Sequence, residues 1–218
     1  MSSWFSKNTY PKYWLDYLEN FKNPLPKTIR ENRFVVIDTE TTGFHLDLDR
    51  ILSIGAVIIE DLEIKVSEGM EVYVKQDKFN PETVEIHGLL RNEKVKTITE
   101  EESLKLFLDF IGNSIIVAHH AQFDIGMINS ALNRRGLPNL KNKLIDTVDM
   151  YRATQIKSNL IYKRKTYKLD DIAYDYGIDL SDRHTAAGDA FITALIFLRT
   201  VNKLMAKPKF NLKKLLKL

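Results

Sequence analysis

The hydrophobic and polar positions of the first half of the chain predict three β-strands. Residues 34–38 (FVVID) and 50–59 (RILSIGAVII) are short, apolar and rich in β-branched side chains. Residues 70–75 (MEVYVK) alternate as a half-buried strand does. Because short segments connect these runs, we expect them to form an antiparallel meander.

In the second half of the chain, strands are predicted to alternate with helices. Apolar strands are predicted at 114–120 and from residue 143, where the strand leads into a helix. Helical spacing is found at 102–111, 123–136, 169–178 and 185–201. The order β-β-β-α-β-α-β-α-α predicts an α/β fold, with a mixed five-stranded sheet and helices on both faces.

The N-terminal residues 1–33 are unusually aromatic. Seven aromatic residues lie within the first 21 positions, and Trp14, Tyr17 and Phe21 share one helical face. We predict an N-terminal helical extension that packs on the main domain or on a partner. The main domain is predicted at 34–202, followed by a basic C-terminal tail at 203–218.

The composition excludes several classes of protein. The chain has no cysteine, which excludes disulfides, cysteine metal sites and cysteine nucleophiles. No apolar run approaches the ~20 residues of a membrane-spanning helix, and the first 14 residues lack the apolar core of a secretion signal. We therefore expect a cytoplasmic protein with no membrane span.

The net charge is only +3, but the basic residues are concentrated in two stretches. No acid lies between Asp149 and Asp170, where three tyrosines lie among six basic residues, and none lies after Asn202, where there are six lysines. Such segments suit a phosphate backbone with stackable bases. Charge alone favours a solvated loop and a frayed tail, so both interpretations are open at this point.

Two carboxylates end the first apolar strand, in the run VVIDTETTGF (35–44). Asp38 and Glu40 are two positions apart and should project from the same face, with Thr39 facing away. Without a counter-charge they would raise each other's pKa, whereas Mg²⁺ or Mn²⁺, which prefer hard oxygen ligands, would neutralise both. The alternative is a strand that simply ends in polar residues at the surface.

Further candidate groups follow a strand or begin a helix. VAHHAQFD (117–124) brings Asp124 to the start of a helix, and RHTAAGDA (183–190) contributes His184 and Asp189. Open α/β sheets place their sites at such strand ends. Because an unpartnered acid in the apolar last helix would be costly, two metal ions held by the four carboxylates would account for all of them.

The motifs Asp-x-Glu-Thr-Thr-Gly, His-x-Ala-x-Phe-Asp and His-x-x-x-x-Asp, in this order, resemble the DnaQ-like (DEDDh) 3′–5′ exonucleases. Lesser features agree, namely Ile86-His87-Gly88, Asp146-Thr147 and YKLDDIA. The resemblance runs from residue 34 to about residue 200. It implies an RNase H-like fold and the release of nucleoside 5′-monophosphates from the 3′ end of nucleic acid.

The resemblance also implies a role for each candidate residue. Asp38 would bridge two metal ions (Mg²⁺ or Mn²⁺), Glu40 and Asp189 would complete the first ion's site, and Asp124 would reach the second. His184 would be the general base, a role that suits histidine at neutral pH. The tyrosine branch of the family carries its tyrosine where this chain has Thr185.

Contacts to the terminal nucleotide are implied for five residues: Thr41, Thr42, Gly43, His87 and Phe123. Glycine permits close approach of the backbone to a ligand. Phe123 suits a plain core position equally well. His120 stands where the family usually has asparagine, which leaves the fine substrate preference open.

Substrate and partners also have alternatives. The favoured substrate is the single-stranded end of DNA. The alternatives are an exoribonuclease of the same family and a catalytically silent subunit that binds nucleic acid or serves as a scaffold. Proofreading, repair and turnover are all compatible with these motifs. A polymerase or another protein would bind through the N-terminal aromatic helix or the C-terminal tail, although the tail could also contact nucleic acid or a membrane surface. We assign the basic stretch at 150–168 to the nucleic-acid strand as a hypothesis.

Overall fold

The computed structural model describes residues 10–76, 96–155 and 167–218. The strands are β1 (Phe34–Thr41), β2 (Ile51–Glu60), β3 (Glu63–Val74), β4 (Thr97–Ile98), β5 (Ile115–Ala118) and β6 (Leu144–Asp146). Within the described ranges they form one mixed sheet with the strand order β4-β3-β2-β1-β5-β6. The meander β1-β2-β3 is antiparallel, as predicted, and β5 and β6 run parallel to β1.

The α/β class is confirmed, but the predicted number of five strands was wrong by one. The additional strand, β4, has only two residues and pairs with Tyr73 and Val74 of β3. A strand of two residues is too short to show the alternation from which strands are predicted. Its place in the sheet is decided by its pairing with β3.

Helices cover both faces of the sheet. A short 3₁₀ turn, Asn20–Lys22, follows the first helix. No helix in the described part of the chain is long and apolar enough to cross a membrane. The helices are α1 (Lys12–Glu19), α2 (Glu100–Ile111), α3 (Gln122–Asn133), α4 (Thr147–Thr154), α5 (Leu169–Asp175), α6 (Ala186–Met205) and α7 (Leu212–Leu215).

The alternation of side chains along β1 divides the main core into two clusters. Val35 and Ile37 belong to the cluster that α1, α2 and α3 cover. Phe34 and Val36 belong to the cluster that α6 covers. Because successive side chains of a strand point to opposite faces, the next even-numbered positions of β1 point towards α6.

The N-terminal extension packs on the main domain, one of its two predicted positions. Trp14 and Tyr17 of α1 are buried in the cluster that α2 and α3 cover. The Tyr17 hydroxyl donates a hydrogen bond to Asn142 Oδ1 (2.6 Å) and accepts one from the backbone N–H of Lys141 (2.8 Å). The aromatic face of α1 therefore packs against the core of the same chain.

The C-terminal tail also contacts the core. Helix α6 continues past residue 202 to Met205, and α7 adds Leu212 and Leu215 to the cluster under α6. Lys213 and Lys214 of the same short helix are exposed. The tail is thus anchored by its leucines and presents its lysines to solvent.

Candidate active site

The sheet and its last long helix bring three carboxylates together. Asp38 and Glu40 continue the α6 face of β1, and Asp189 lies in the first turn of α6. Thr185 caps this helix by accepting a hydrogen bond from the backbone N–H of Gly188, so the first turn begins at a defined place. One carboxylate oxygen from each acid lies within 4.8 Å of the other two.

The surroundings of these acids disfavour their negative charges. Burial, with the neighbouring carboxylates of Asp124, Asp189 and Glu40, raises the pKa of Asp38 well above its usual range. Burial and the Asp189 carboxylate raise the pKa of Glu40 to about 7. Three carboxylates this close together repel one another, and a nearby positive charge would stabilise their ionised forms.

A divalent cation fits this set of donors. Asp189 is buried, and its Oδ1 atom has no hydrogen-bond partner among the described residues. A buried carboxylate oxygen without a partner is costly unless a cation neutralises it. Carboxylate oxygens are also the ligands that Mg²⁺ and Mn²⁺ prefer. Residues Asp38, Glu40 and Asp189 therefore suit a metal ion in both charge and chemistry.

Asp124 lies beside this group and reaches β1 from the opposite face of the sheet. It belongs to the first turn of α3, and its Oδ1 atom accepts hydrogen bonds from the backbone N–H (2.9 Å) and the hydroxyl (2.7 Å) of Thr39. Burial raises the pKa of Asp124 to about 7, although the bonds from Thr39 act in the other direction. Its carboxylate also helps to raise the pKa of Asp38.

His184 lies on the loop that enters α6, directly before the capping residue Thr185. It is exposed, and its backbone has φ = 68°. This left-handed conformation is uncommon for residues other than glycine. Such strain persists only where neighbouring contacts fix the backbone, and it concentrates at functional sites.

The turn after β1 is shaped by its own side chains. The Thr41 hydroxyl donates to the carbonyl of Gly43 (2.7 Å), and the Thr42 hydroxyl donates to Asp49 Oδ1 (2.9 Å). A Cβ atom on Gly43 would lie 2.5 Å from Asp49 Oδ2. The space that this glycine leaves is therefore occupied by Asp49, and both threonine hydroxyls stabilise the turn.

An aromatic pair follows this turn, and sequence reasoning missed half of it. Phe44 is 77% exposed, and its ring lies 5.8 Å from that of Phe123, centroid to centroid. Phe123 is half-buried and packs against the core. The available signal was an aromatic residue directly after Thr-Thr-Gly. His87 lies outside the described residues.

Asp146 organises the loop between β5 and α3. Its carboxylate accepts hydrogen bonds from the backbone N–H groups of His120 (3.2 Å) and Ala121 (3.0 Å), and it caps α4. His120 has φ = 57°. Histidine is among the residues that adopt this left-handed backbone more often than most do, so the turn accommodates His120.

His119 has a structural environment. Its Nδ1 atom lies 2.9 Å from the hydroxyl of Thr147, and its Nε2 atom lies 2.9 Å from the carbonyl oxygen of Tyr167. Burial, followed by the neighbouring His120, lowers the pKa of His119 to about 4. A neutral ring with both nitrogens engaged connects β5, α4 and the segment before α5.

The fold and the acidic group together define an RNase H-like α/β domain with three carboxylates whose spacing and chemistry suit a cation. The family model described as "Exonuclease", of RNase T type, matches residues 35–197 of the chain. The chain therefore belongs to the DnaQ-like exonuclease family.

Curated relatives include two PolC-type DNA polymerases III. The protein from Clostridium perfringens (strain 13 / Type A) is 36% identical over 167 residues, which are 76% of this chain and 11% of the polymerase. The protein from Caldanaerobacter subterraneus subsp. tengcongensis is 34% identical over 175 residues, or 80% of this chain and 12% of the polymerase. The chain thus spans only a small part of the length of these relatives.

Solved structures show the same fold. Escherichia coli Exonuclease I in complex with a dT13 oligonucleotide superposes with a TM-score of 0.69 at 20% identity, covering 80% of this chain and 42% of that one. Exonuclease X in complex with 5′-overhanging duplex DNA superposes with a TM-score of 0.61 at 21% identity, covering 84% of this chain and 98% of that one.

Proposed function

We propose that the chain is a 3′–5′ exonuclease that hydrolyses the terminal phosphodiester bond of single-stranded DNA ends and releases nucleoside 5′-monophosphates. The observation that carries this proposal is the convergence of Asp38, Glu40 and Asp189, with a buried Asp189 oxygen that has no hydrogen-bond partner in the described part of the chain. The polymerase relatives are named for DNA synthesis, which favours DNA over RNA as the substrate.

The acids would hold two divalent ions, Mg²⁺ or Mn²⁺. Asp38, Glu40 and Asp189 would hold the first, and Asp124, which lies beside Asp38, would contribute to the second together with Asp38. Bound there, the ions would activate a water molecule and stabilise the negative charge that develops at the phosphate.

The other residues of the site would act on the proton and on the nucleotide. His184, exposed at the entrance to α6, is our candidate for the general base that takes the proton from the attacking water. The rings of Phe44 and Phe123 offer an aromatic surface on which the terminal base can stack. The backbone of Thr41, Thr42 and Gly43, together with His87, would border the same nucleotide.

Further contacts are proposed away from the metal ligands. The basic stretch at 150–168, most of which lies outside the described residues, would follow the phosphate backbone of the strand. The exposed lysines of α7 are available to nucleic acid or to a polymerase. Because the aromatic face of α1 is buried in the core, a partner would use another surface. We propose that the domain removes 3′ nucleotides in DNA replication or repair.

The proposal is tested by a time course on single-stranded DNA and RNA of one sequence, each labelled at its 5′ end. Reactions contain Mg²⁺ or Mn²⁺, with EDTA as the metal-free control. The variants are Asp38→Ala and, as a matched control, Asp109→Ala, which removes an exposed carboxylate from α2. We expect a ladder that shortens from the 3′ end, faster on DNA, lost with EDTA and with Asp38→Ala, and retained with Asp109→Ala.

Other outcomes would change the assignment. Release of the labelled 5′ nucleotide without a ladder would contradict the proposed polarity. Faster cleavage of RNA would make the chain an exoribonuclease. If neither strand is cleaved although Mn²⁺ binds, the catalytically silent binding subunit is favoured instead.

A further inference from the structure

Arg183 contacts the acidic group directly. Its Nη1 atom donates to Asp189 Oδ2, and its Nε atom donates to Asp170 Oδ1 of α5 at 2.5 Å. The guanidinium is largely buried, with 19% of the side chain exposed. Among the described residues, no other lysine or arginine forms an ion pair with Asp38, Glu40 or Asp189.

One guanidinium compensates this group incompletely. Among the described residues Arg183 forms its ion pair with Asp189 and not with Asp38 or Glu40, although one carboxylate oxygen of each acid lies within 4.8 Å of the other two. Arg183 donates to Oδ2 of Asp189, whereas Oδ1 has no hydrogen-bond partner within residues 10–76, 96–155 and 167–218. The three acids therefore have the Arg183 guanidinium as their one counter-charge among the described side chains. A divalent metal ion would neutralise the negative charge that remains.

The two contacts of Arg183 also tie the loop before α6 to its surroundings. The side chain connects the first turn of α5, through Asp170, to the first turn of α6, through Asp189. His184, whose backbone is left-handed, is the next residue. If this guanidinium moved, the positions of the acidic group and of the loop that carries His184 would therefore change.

We propose that Arg183 is the internal counter-ion of the metal site, and that it competes with divalent ions for Asp189. In the metal-free protein it neutralises Asp189 and stabilises the fold. When a metal ion binds, Arg183 opposes the ion by charge repulsion and by its contact with Asp189. The arginine thus keeps the site stable while empty and lowers its affinity for metal. This inference rests on the proposed metal-dependent function.

The test is calorimetric titration of the whole chain with Mn²⁺ alone, without substrate. We expect Arg183→Gln to bind Mn²⁺ about tenfold more tightly, since a charge repulsion in a partly buried site is removed. Arg183→Lys, which keeps the charge, should stay near the wild-type affinity. Arg134→Gln is the matched control, because it removes an arginine that pairs with Glu100 and lies at the C-terminal end of α3, the end opposite to Asp124.

Thermal unfolding supplies the second measurement. In EDTA, Arg183→Gln should unfold at a lower temperature than the wild type, because its acids have lost their cation. In saturating Mn²⁺ that difference should shrink. Weaker Mn²⁺ binding by Arg183→Gln would overturn the inference and make Arg183 a residue that orients Asp189 for the ion. Unchanged binding would overturn it too.

The wild-type titration separates the two proposals. If the wild type does not bind Mn²⁺, the metal-dependent function fails, and the competition fails with it. If the wild type binds Mn²⁺ and Arg183→Gln binds it equally well, only the role of Arg183 is wrong.

Discussion

Gly55 on β2 lies directly opposite Asp38 on β1, and the backbone of α6 occupies the space that a side chain at position 55 would need. A Cβ atom on Gly55 would lie 2.1 Å from the carbonyl carbon of Ala186 and 2.3 Å from the nitrogen of Ala187. Helix α6 therefore begins against the strand pair that carries Asp38. This close approach brings Asp189, in the first turn, to the same place.

Replacing Gly55 with alanine should disturb the metal site. The added methyl group cannot fit unless the start of α6 moves away from β2, and Asp189 would move with it. We expect Gly55→Ala to lose Mn²⁺ binding and nuclease activity, and to lower the free energy of unfolding by about 1–3 kcal/mol through overpacking. Calorimetric titration and thermal unfolding measure the two effects.

Gly69→Ala is the matched control for this substitution. Gly69 lies on the neighbouring strand β3, where the nearest atom to an added Cβ is 3.4 Å away. This variant should keep its metal affinity. Wild-type Mn²⁺ binding by Gly55→Ala would show that the contact with α6 does not decide the position of Asp189.

Asp38→Asn should abolish activity and yet stabilise the metal-free protein. The substitution removes a half-buried carboxylate charge that Asp124, Asp189 and Glu40 repel. In EDTA we expect the free energy of unfolding to rise by about 1–3 kcal/mol, the usual cost of an uncompensated buried polar group. Urea unfolding measures the change, and Asp109→Asn, at an exposed position, should leave it unaltered. A less stable Asp38→Asn protein would refute the repulsion argument.

Metal binding should strengthen as the pH rises through about 7, the pKa to which the carboxyl groups of Glu40 and Asp124 are raised. Below this pH the acids hold protons that an ion must displace, so binding releases protons. Titrations with Mn²⁺ from pH 6 to pH 8, in buffers of different ionisation enthalpy, count the released protons. An affinity independent of pH would mean that these acids are already ionised at the lower end.

The stability of the metal-free protein should change with pH in the opposite direction. The usual pKa of Glu40 is 4.5, whereas in the fold it is about 7. Between these values the folded protein holds protons that the unfolded chain has lost, so the free energy of unfolding falls as the pH rises. Thermal unfolding in EDTA from pH 5 to pH 8 should show this fall, and saturating Mn²⁺ should oppose it.

Phe44→Ala should weaken the binding of oligonucleotides without destabilising the fold. The side chain is 77% exposed, so its loss removes little core packing. Stacking of a base on an aromatic ring contributes about 1–3 kcal/mol, which should appear as a higher KM. Phe44→Trp preserves an aromatic surface and should keep the wild-type KM. An unchanged KM for Phe44→Ala would exclude the aromatic pair from substrate binding.

Trp14→Ala should destabilise the whole domain. Trp14 is 1% exposed in the cluster that α2 and α3 cover, and large-to-small substitutions of this kind cost about 3–5 kcal/mol. Leu15→Ala, at the next position but 44% exposed, is the control and should have a small effect. If Trp14→Ala unfolds like the wild type, α1 is not part of the core, and a role in binding a partner becomes the better interpretation.

Much of the site follows from local patterns in the sequence. Asp38 and Glu40 share a face because the side chains of a strand alternate, and the apolar run before them predicts that strand. Asp124 and Asp189 lie in the first turns of α3 and α6, close to the positions where the sequence pattern predicts that these helices begin. Strand β4 was not predicted, because two residues are too few to show the alternation of apolar and polar side chains that indicates a strand.

The sequence by itself determined the α/β class, the motifs of the family and the order in which the acids occur. Only the tertiary structure decided that Asp124 reaches Thr39 from the far face of the sheet, that Arg183 pairs with Asp189, and that Gly55 lets α6 approach β2. The physical reason is the range of the interactions. Strand period and helix starts depend on neighbours along the chain, whereas ion pairs, pKa shifts and close backbone contacts depend on residues that only folding brings together.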